Sequence, residues 1–317
     1  MLITGGCGFV GRWVARALAS AEADLHILDL SPSKHLEVKH TFHHADLRNL
    51  TATTELVSQV KPAMIIHLAG QPGVASSHDN PVGAYEANVL ATFNILEACR
   101  QKPDVEAIVA VSSNHVYGRQ HKMPTAEDAQ LNAVGMYAAS KLAADVLSRA
   151  YGKTYDVPVG IARMTNSYGG DDHHVEHIIT ATILSALRNQ RPVIKQSGQD
   201  RKGYLYIKDT AHGLLAIAEG VARNKQLRGE AFNLAPNEAV TVIDLVRTIL
   251  STAGKSLEPQ VLNPQAGHEE EHLDNSKARE LLGWTPQFNM PSGLREAIAW
   301  FSDSDKSPLH AAPPSAH

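Results

Sequence analysis

Short apolar runs alternate with amphipathic stretches through the first half of this 317-residue chain. The apolar runs read MLIT, LHILDL, AMIIHLAG, AIVAVSS and VPVGIARM, and the amphipathic stretches between them lie at 11–21, 49–60, 84–101 and 136–155. Parallel strands need a long crossover connection, usually a helix, whereas antiparallel strands can be joined by a short hairpin. The βαβα order therefore predicts an α/β fold with a Rossmann-type, doubly wound parallel sheet.

The regular alternation ends near residue 165. Beyond that point the pattern predicts short strands in RPVIKQ, GYLYIKD and AFNLA and helices at 175–190, 209–222, 241–253, 275–282 and 291–302. Part of this second half is expected to form a smaller, mostly C-terminal α/β lobe. The final stretch, 304–317, is polar and proline-rich, and we expect it to be a disordered tail.

Composition narrows the range of partners. Lys and Arg total 29 against 33 for Asp and Glu, so a net charge of -4 favours neither nucleic acid nor an anionic membrane. Two cysteines, Cys7 and Cys99, form neither a disulfide framework nor a zinc-site spacing, which favours a reducing, cytoplasmic location. We find no signal peptide and no window near 18 uninterrupted apolar residues. A small-molecule partner is therefore expected.

The first strand runs into TGGCGFVG, residues 4–11, where Gly5, Gly8 and Gly11 stand three apart. Glycines there permit a tight turn and let backbone N–H groups and a helix N-terminus approach a pyrophosphate. Asp29 ends the next strand, where a carboxylate accepts hydrogen bonds from ribose hydroxyls and repels a 2′-phosphate. Asp46 follows the third strand and is a candidate for the adenine, or a solvated loop aspartate. The pattern predicts NAD as the cofactor.

These signals set the predicted domain boundaries. Residues 1–165 plus 203–235 form the dinucleotide-binding domain, and residues 166–202 plus 236–303 form the substrate-binding lobe.

The stretch YAASK places Tyr137 and Lys141 at i and i+4 on one face of the helix predicted at 136–155. A nearby ammonium favours the phenolate, so we expect the pKa of Tyr137 to be lowered towards working pH, which would make it a usable general base. Ser113 is the last residue of the run AIVAVSS, so it lies at the edge of the sheet where ligands of such folds bind.

The chain resembles the extended short-chain dehydrogenase/reductase family, in its branch of NAD-dependent sugar-nucleotide epimerases and dehydratases. The resemblance covers about residues 1–303. It rests on TGGCGFVG, HLAG, NVLATFNILEA, SSNHVYG, YAASK, RMTNSYGG, GYLYIKD and LGWTP. Within the branch, the stretches from YGGDD to HLDNSKARELLGWTP look most like those of CDP-glucose 4,6-dehydratases.

The resemblance implies roles for individual residues. Ser113 and Tyr137 would hold the C4 hydroxyl of the sugar, and Lys141 would hold the nicotinamide ribose while hydride passes between C4 and NAD. The implied cofactor-binding residues are Gly5, Gly8, Phe9, Val10, Gly11, Asp29, Asp46, Leu47, Leu68, Ala69, Gly70, Asn88, Tyr137 and Lys141. The implied substrate-binding residues are Gly73, Ser77, Ser113, Asn114, Asn166 and Arg201.

One of these residues, Arg201, has an alternative without a binding role. Arg201 is a diphosphate ligand or a solvated loop cation. The family usually has another basic residue shortly before LDNSKAR, whereas this chain has GHEEEHLDNSKAR, in which Glu269–Glu271 predicts a solvated acidic turn.

Asn114 and His115 depart from the dehydratase pattern. CDP-glucose 4,6-dehydratases carry Asp-Lys directly after the catalytic Ser/Thr, and most other 4,6-dehydratases carry Asp-Glu. Removal of the C5 proton and protonation of the leaving C6 hydroxyl require an acid and a base beyond the tyrosine. Asn114 is neither at neutral pH, whereas His115 has a reference pKa near 6.5 and can be one of them. Alternatively, Asn114 forms a turn and His115 is a packed ring.

We therefore favour a nucleotide-sugar 4-epimerase over a 4,6-dehydratase, because C4 epimerisation needs only the tyrosine, the serine and NAD. A net redox or C5-type reaction stays open as a third possibility. A non-catalytic NAD-sensing protein is the alternative from another class, although such proteins typically lose the Tyr or the Lys.

The stretch DDHHVEH brings His174 and His177 to a predicted helix start, a density of possible metal ligands. Asp171 and Asp172 are well placed there as helix caps, so we expect no metal.

The helices at 84–101 and 137–151 correspond to those that pair in dimeric relatives. The resemblance thus implies a homodimer.

Overall fold

The computed structural model describes residues 1–19, 23–100, 102 and 104–303, so the predicted tail at 304–317 lies outside the described residues. The strands are β1 Leu2–Thr4, β2 His26–Asp29, β3 Thr41–His44, β4 Met64–His67, β5 Ala107–Val111, β6 Val159–Met164, β7 Asn166–Tyr168, β8 Val193–Ile194, β9 Arg201–Lys202, β10 Tyr204–Tyr206, β11 Ala231–Leu234, β12 Val240–Thr241, β13 Gln260–Val261 and β14 Glu270–Glu271. The α-helices are α1 Phe9–Leu18, α2 Leu50–Val60, α3 Val74–Asp79, α4 Pro81–Tyr85, α5 Ala91–Arg100, α6 Met136–Tyr155, α7 Ile178–Leu187, α8 Ile207–Arg223, α9 Val242–Thr252, α10 Ser276–Leu282 and α11 Met290–Ser302.

Seven parallel strands form the main sheet in the order β11-β6-β5-β4-β1-β2-β3. The interior strands are buried on both faces, as expected for parallel strands covered by helices, and the edge strand β3 is more exposed. The chain leaves β1 towards β2 on one side and later returns to β4 on the other side. This reversal is the topological switch point, where ligands of such sheets bind. The predicted Rossmann-type sheet is confirmed.

The backbone contacts divide the chain into two units. Of the described residues, the first unit comprises those in 1–165, 210–235 and 273–285, and the second comprises those in 166–209, 236–272 and 286–303. This division differs from the sequence-based boundaries at 203–209 and 273–285.

The first unit has an apolar core between the sheet and its helices. Leu56 and Val57 of α2 pack with Ile95 and Leu96 of α5 against Ile65 on the sheet. Asp145 of α6 and Arg163 of β6 form an ion pair that is fully buried. The sheet and the helices on this face are thereby joined by both apolar and ionic contacts.

The second unit contains three small sheets. β7 pairs in parallel with β10, β9 lies between β12 and β14, and β8 pairs with β13. Ala186 of α7 and Ile194 of β8 pack with Val246 and Leu250 of α9.

Two predicted elements differ in detail from the structure. The helix expected at 84–101 is interrupted by a π turn, Glu86–Leu90, between α4 and α5. The strand expected in GYLYIKD ends at Tyr206, because α8 already begins at Ile207. Of the helices in the described part of the chain, none is long and apolar enough to cross a membrane.

Candidate active site

The glycine-rich loop lies directly after β1. Gly5 has φ +65°, and a Cβ atom there would stand 2.7 Å from the backbone nitrogen of Ala69. A Cβ atom at Gly11 would stand 2.6 Å from the carbonyl oxygen of Gly5. Glycine at position 5 therefore allows the turn to pack against the segment after β4. Glycine at position 11 allows the first turn of α1 to pack against the loop. Phe9 and Val10 begin that helix.

Helix α1 begins directly after this loop. Its N-cap is Gly8, and within the described residues no side chain caps its first N–H groups. An anion is stabilised at such an end by the unpaired donors and the helix dipole. The site therefore fits the pyrophosphate of a dinucleotide.

Asp29, at the end of β2, stabilises the same loop. Its Oδ2 accepts the N–H of Cys7 at 3.0 Å, and its Oδ1 accepts the N–H of Leu30 at 2.8 Å. A carboxylate oxygen has more than one acceptor position, so both oxygens can also accept from ribose hydroxyls. The position fits the adenosine ribose.

Asp46 lies beyond β3 and is bound by Arg48. The Arg48 Nε donates to both Asp46 oxygens, at 2.9 and 3.0 Å, and Arg48 also pairs with Glu86 at 3.1 Å. The hydrogen bonds from Arg48 lower the pKa of Asp46. The next residue, Leu47, is buried, and its carbonyl accepts the Asn94 amide at 2.7 Å.

The residues after β4 contact both the glycine-rich loop and Asn88. The N–H of Leu68 donates to the Thr4 carbonyl at 3.0 Å, and the N–H of Ala69 donates to the Thr4 hydroxyl at 3.3 Å. A Cβ atom at Gly70 would stand 2.5 Å from Asn88 Oδ1 and 3.7 Å from Lys141 Nζ. The backbone at Gly70 thus lies close to both side chains.

Asn88 is buried within the π turn, and its side chain joins two segments of the site by hydrogen bonds. Its Oδ1 accepts the N–H of Gln71 at 2.9 Å, and its Nδ2 donates to Ser140 Oγ at 2.9 Å. Ser140 precedes Lys141 on α6. The π turn is a kind of irregularity that often occurs at functional sites, and here it connects the segment after β4 to the helix that carries the lysine.

Ser113 caps a short 3₁₀ helix, Asn114–Tyr117, at the exit of β5. Its Oγ accepts the N–H of His115 and donates to Asn114 Oδ1, each at 3.3 Å. The Ser113 hydroxyl also hydrogen-bonds to the Tyr137 side chain. The imidazole of His115 stands edge-on to the Tyr137 ring, with centroids 5.6 Å apart. Four of the predicted catalytic residues are thus brought together.

Lys141 is the fifth predicted catalytic residue, one turn beyond Tyr137 on α6. Its Nζ donates to the Val111 carbonyl at 2.9 Å, and burial lowers its pKa to about 8. The expectation of a lowered tyrosine pKa is wrong for this structure. Burial raises the pKa of Tyr137 and outweighs the opposing effect of the neighbouring Ser113 hydroxyl.

Among the described residues, two buried hydroxyls have no hydrogen-bond partner, Ser77 Oγ and Ser112 Oγ. Ser77 lies on α3, which Gly73 (φ +89°) precedes, and Ser112 directly follows β5. A buried hydroxyl without a partner is costly. A ligand that completes these bonds would remove the cost.

Two predicted substrate residues belong to the second unit. Asn166 begins β7 and pairs with Tyr204 of β10. Arg201 is exposed, with NH2 donating to the Ala239 carbonyl at 3.1 Å and Nε 3.7 Å from Glu270. The acidic turn expected at Glu269–Glu271 is in part a strand, β14, because it pairs with β9.

Asp172 holds two histidines ahead of α7. Its Oδ1 accepts from His174 Nδ1 at 2.9 Å, and its Oδ2 accepts from His177 Nδ1 at 2.8 Å and Thr180 Oγ1 at 3.1 Å. Burial opposes ionisation of Asp172, but the hydrogen bonds from His174 and His177 hold its pKa well below the usual range. The carboxylate thus organises the start of the helix.

A parallel sheet with a glycine-rich first turn and a Ser-Tyr-Lys group at its exit defines a dinucleotide-dependent enzyme of the short-chain dehydrogenase type. A family model, "NAD dependent epimerase/dehydratase family", matches residues 1–235. The chain belongs to this family. Its cofactor is NAD, as predicted.

Among curated proteins, the chain is similar to a putative UDP-glucose 4-epimerase of Methanocaldococcus jannaschii, 30% identical over 97% of this chain and 100% of that protein. It is also similar to the dTDP-glucose 4,6-dehydratase of Shigella flexneri, 28% identical over 95% of this chain and 92% of that protein. Among solved structures, the UDP-glucose 4-epimerase of Thermotoga maritima with UDP-glucose has a TM-score of 0.86 at 24% identity, covering 96% of this chain and 98% of that chain. The relatives thus include both activities that the sequence predicted.

Proposed function

We propose that the protein is an NAD-dependent nucleotide-sugar 4-epimerase that acts through a transient 4-keto sugar. The observation that carries the proposal is the local arrangement after β5. The side chains of Ser113 and Tyr137 are in contact. The two positions directly after Ser113 hold Asn114 and His115, whereas 4,6-dehydratases carry a pair of charged acid-base groups there. The 4-epimerases among the relatives support the same activity.

The residues divide the work as follows. Tyr137 removes the proton of the C4 hydroxyl, and Ser113 hydrogen-bonds the same oxygen as the carbonyl develops. NAD, when bound, supplies reversible acceptance of a hydride. Lys141 holds the nicotinamide ribose. Return of the proton from Tyr137 accompanies reduction of the other face of the ketone.

The cofactor-binding residues are proposed in the same way. The loop from Gly5 to Gly11 holds the pyrophosphate and Asp29 holds the adenosine ribose. The others border them: Phe9, Val10, Asp46, Leu47, Leu68, Ala69, Gly70 and Asn88. Asp46 is the least favoured of these, because Arg48 already occupies both of its oxygens.

For the substrate, Ser77 is the best supported of the remaining residues, because its buried hydroxyl has no hydrogen-bond partner in the part of the chain that the structure describes. Gly73 and Asn114, which belong to the same unit of the chain as Ser77, are proposed as further substrate-binding residues. Asn166 and Arg201 are proposed as diphosphate ligands from the family resemblance alone.

Dehydration is the second candidate, since His115 contacts the Tyr137 ring and is an ionisable side chain. His115 would have to remove the C5 proton and also protonate the leaving C6 hydroxyl, because Asn114 can do neither. Loss of a positioned proton-transfer group typically costs about 10²–10⁴ in rate. Elimination in this site is therefore expected to be slow.

The test is incubation of the purified protein with UDP-, CDP-, GDP- and ADP-sugars in D₂O, followed by NMR and mass spectrometry. The 4-epimerase yields an isomer of unchanged mass with no deuterium at C5. Loss of water with deuterium at C5 would establish the dehydratase instead. Copurified NAD without turnover of any sugar would favour a non-catalytic NAD-sensing protein. Tyr137→Phe serves as the inactive control.

We further propose a homodimer in the cytoplasm. Tyr85 of α4 and Val146 of α6 expose large apolar side chains within the segments 84–101 and 137–151, which the family resemblance assigns to dimer pairing. Val82 and Tyr155, just outside those segments, are exposed as well. Light scattering on the purified protein tests the dimer, and a double substitution, Val146→Glu with Tyr155→Glu, should yield a monomer. The cytoplasmic location is supported by the two free cysteines, Cys7 and Cys99.

A further inference from the structure

His67, the last residue of β4, is a buried histidine to which the proposed mechanism assigns no role. Its Nδ1 lies 2.7 Å from the hydroxyl of Thr4, and its Nε2 lies 3.1 Å from the hydroxyl of Thr92. Thr92 in turn donates to the carbonyl of Asn88 at 2.6 Å. All four residues are buried.

The direction of these hydrogen bonds follows from counting protons. Thr92 has one hydroxyl proton, which it donates to the Asn88 carbonyl, so its oxygen must accept from His67 Nε2–H. If Nε2 carries the ring proton of a neutral imidazole, Nδ1 must accept, and Thr4 donates to it. The relay therefore runs from Thr4 through His67 and Thr92 to the Asn88 carbonyl.

The ends of this relay are parts of the candidate active site. Thr4 immediately precedes Gly5, and its hydroxyl also accepts the N–H of Ala69. At the other end, the Asn88 side chain bonds to Ser140, the neighbour of Lys141. One chain of hydrogen bonds thus connects the glycine-rich loop, the exit of β4 and the π turn.

We propose that His67, as the neutral Nε2–H tautomer, is a positioning residue that fixes Asn88 and thereby the orientation of Lys141 towards the bound nucleotide. The inference rests on the proposed function, since its kinetic consequence is seen in the epimerase reaction. His67 does not touch the reacting atoms in this assignment. It acts through Thr92 and Asn88.

The electrostatic surroundings agree with the neutral form. Burial and the positive charge of Lys141 together lower the pKa of His67 to about 3. A proton on Nδ1 would also oppose the Thr4 hydroxyl donor and the nearby ammonium. The relay therefore keeps one tautomer at neutral pH, where Lys141 is charged.

Thr92→Val is the sharpest perturbation, because it removes the link between His67 and Asn88 with little change of shape. Loss of one such hydrogen bond predicts a kcat about tenfold lower, with KM changed less than about twofold. Thr182→Val is the matched control, since Thr182 is a buried helical threonine whose hydroxyl also donates to the carbonyl four residues earlier, at 2.6 Å. Equal kcat values for the two variants would overturn the proposal.

His67 itself is replaced by Gln and by Phe. Gln presents an amide donor at the position of Nε2, so His67→Gln should recover most of the activity that His67→Phe loses. Circular dichroism shows whether each variant is folded. If the Phe variant does not fold, the comparison of Thr92→Val with Thr182→Val still decides. Gln and Phe variants that are folded and equally impaired would also overturn the proposal.

A spectroscopic measurement separates this inference from the proposed function. In ¹⁵N-labelled protein, the proposal predicts that His67 shows a protonated Nε2 and an unprotonated Nδ1 at pH 7, and that Thr92→Val disturbs this pattern. The opposite tautomer, or a charged ring, contradicts the relay. The expected tautomer in a protein that turns over no nucleotide sugar would mean that the proposed function, and not the relay, is wrong.

Discussion

The imidazole of His115 meets the phenol ring of Tyr137 edge-on, with the ring planes at 81°. If His115 only lines the pocket, His115→Phe keeps an aromatic contact, which is worth about 0.5–1.5 kcal/mol. We therefore expect the epimerase kcat of this variant to stay within about tenfold of the wild-type value. Steady-state kinetics on the best sugar nucleotide measures it.

Tyr137→Phe is the reference for that experiment, because it removes the proposed base while keeping the ring. A drop of about 10²–10⁴ is expected for it. A drop of the same size in His115→Phe would show that the imidazole moves protons, as the dehydratase alternative requires.

The lowered pKa of Lys141 predicts a pH-dependent stability difference. The folded lysine loses its proton near pH 8, whereas the unfolded lysine keeps it to about 10.5. Below pH 8 the Lys141 side chain is charged in both the folded and the unfolded protein, and burial of that charge lowers the free energy of unfolding of the wild type. Between pH 8 and 10.5 the unfolded state binds more protons, so stability rises with pH.

Lys141→Met lacks this titration. The stability of the wild type relative to the variant should therefore rise by about 3 kcal/mol between pH 7 and 10.5. Urea unfolding of both proteins across this range is the measurement. A constant difference would mean that the lysine is hydrated in solution.

Asp29→Ala should weaken NAD binding. A hydrogen bond to a charged group contributes about 1.5–3 kcal/mol, which corresponds to a Kd increase of about tenfold to a hundredfold. NADP binding should suffer less, because removal of the carboxylate also removes its repulsion of the 2′-phosphate.

Fluorescence titration with both nucleotides measures this preference. Glu55→Gln, at an exposed position on α2, is the control and should leave both affinities unchanged. An unchanged ratio of the two affinities in Asp29→Ala would refute the assignment of Asp29 to the ribose.

The buried pair of Asp145 and Arg163 predicts a large effect on stability. The Arg163 Nε and NH2 donate to the two Asp145 oxygens at 2.9 and 3.0 Å. Removal of one partner leaves a buried charge uncompensated, so Asp145→Ala should lower the free energy of unfolding by about 3–5 kcal/mol. Glu219→Ala, which breaks the exposed pair with Arg223, should cost less than about 1 kcal/mol. Similar losses in both variants would contradict this account.

Much of the fold could be predicted because local patterns and tertiary structure agree. Helix α6 runs from Met136 to Tyr155, as its periodicity indicated, and the first strand leads into the glycine-rich loop. The proximity of Ser113 to Tyr137 also follows from general rules, since the end of β5 and the start of α6, the crossover helix that follows it, lie at the same edge of a parallel sheet.

The remaining features depend on packing that no local pattern records. The π turn shifts the hydrogen-bond register within a helical segment that reads as continuous. The pKa of Tyr137 depends on burial, so spacing from Lys141 alone predicted the wrong direction. His67 lies in the motif HLAG, but its role depends on hydroxyls 63 residues earlier and 25 residues later.

The exit of β5 has a consequence for how such an enzyme can change its chemistry. The Val111 carbonyl accepts the hydrogen bond of Lys141, which we propose to hold the nucleotide, and Ser113, two residues on, is proposed to hold the sugar. Two extended residues span roughly 6–7 Å, so the backbone at the end of β5 sets the distance between the two ligands. Positions 114 and 115 follow this segment, where substitutions could exchange epimerisation for elimination of water without altering that distance.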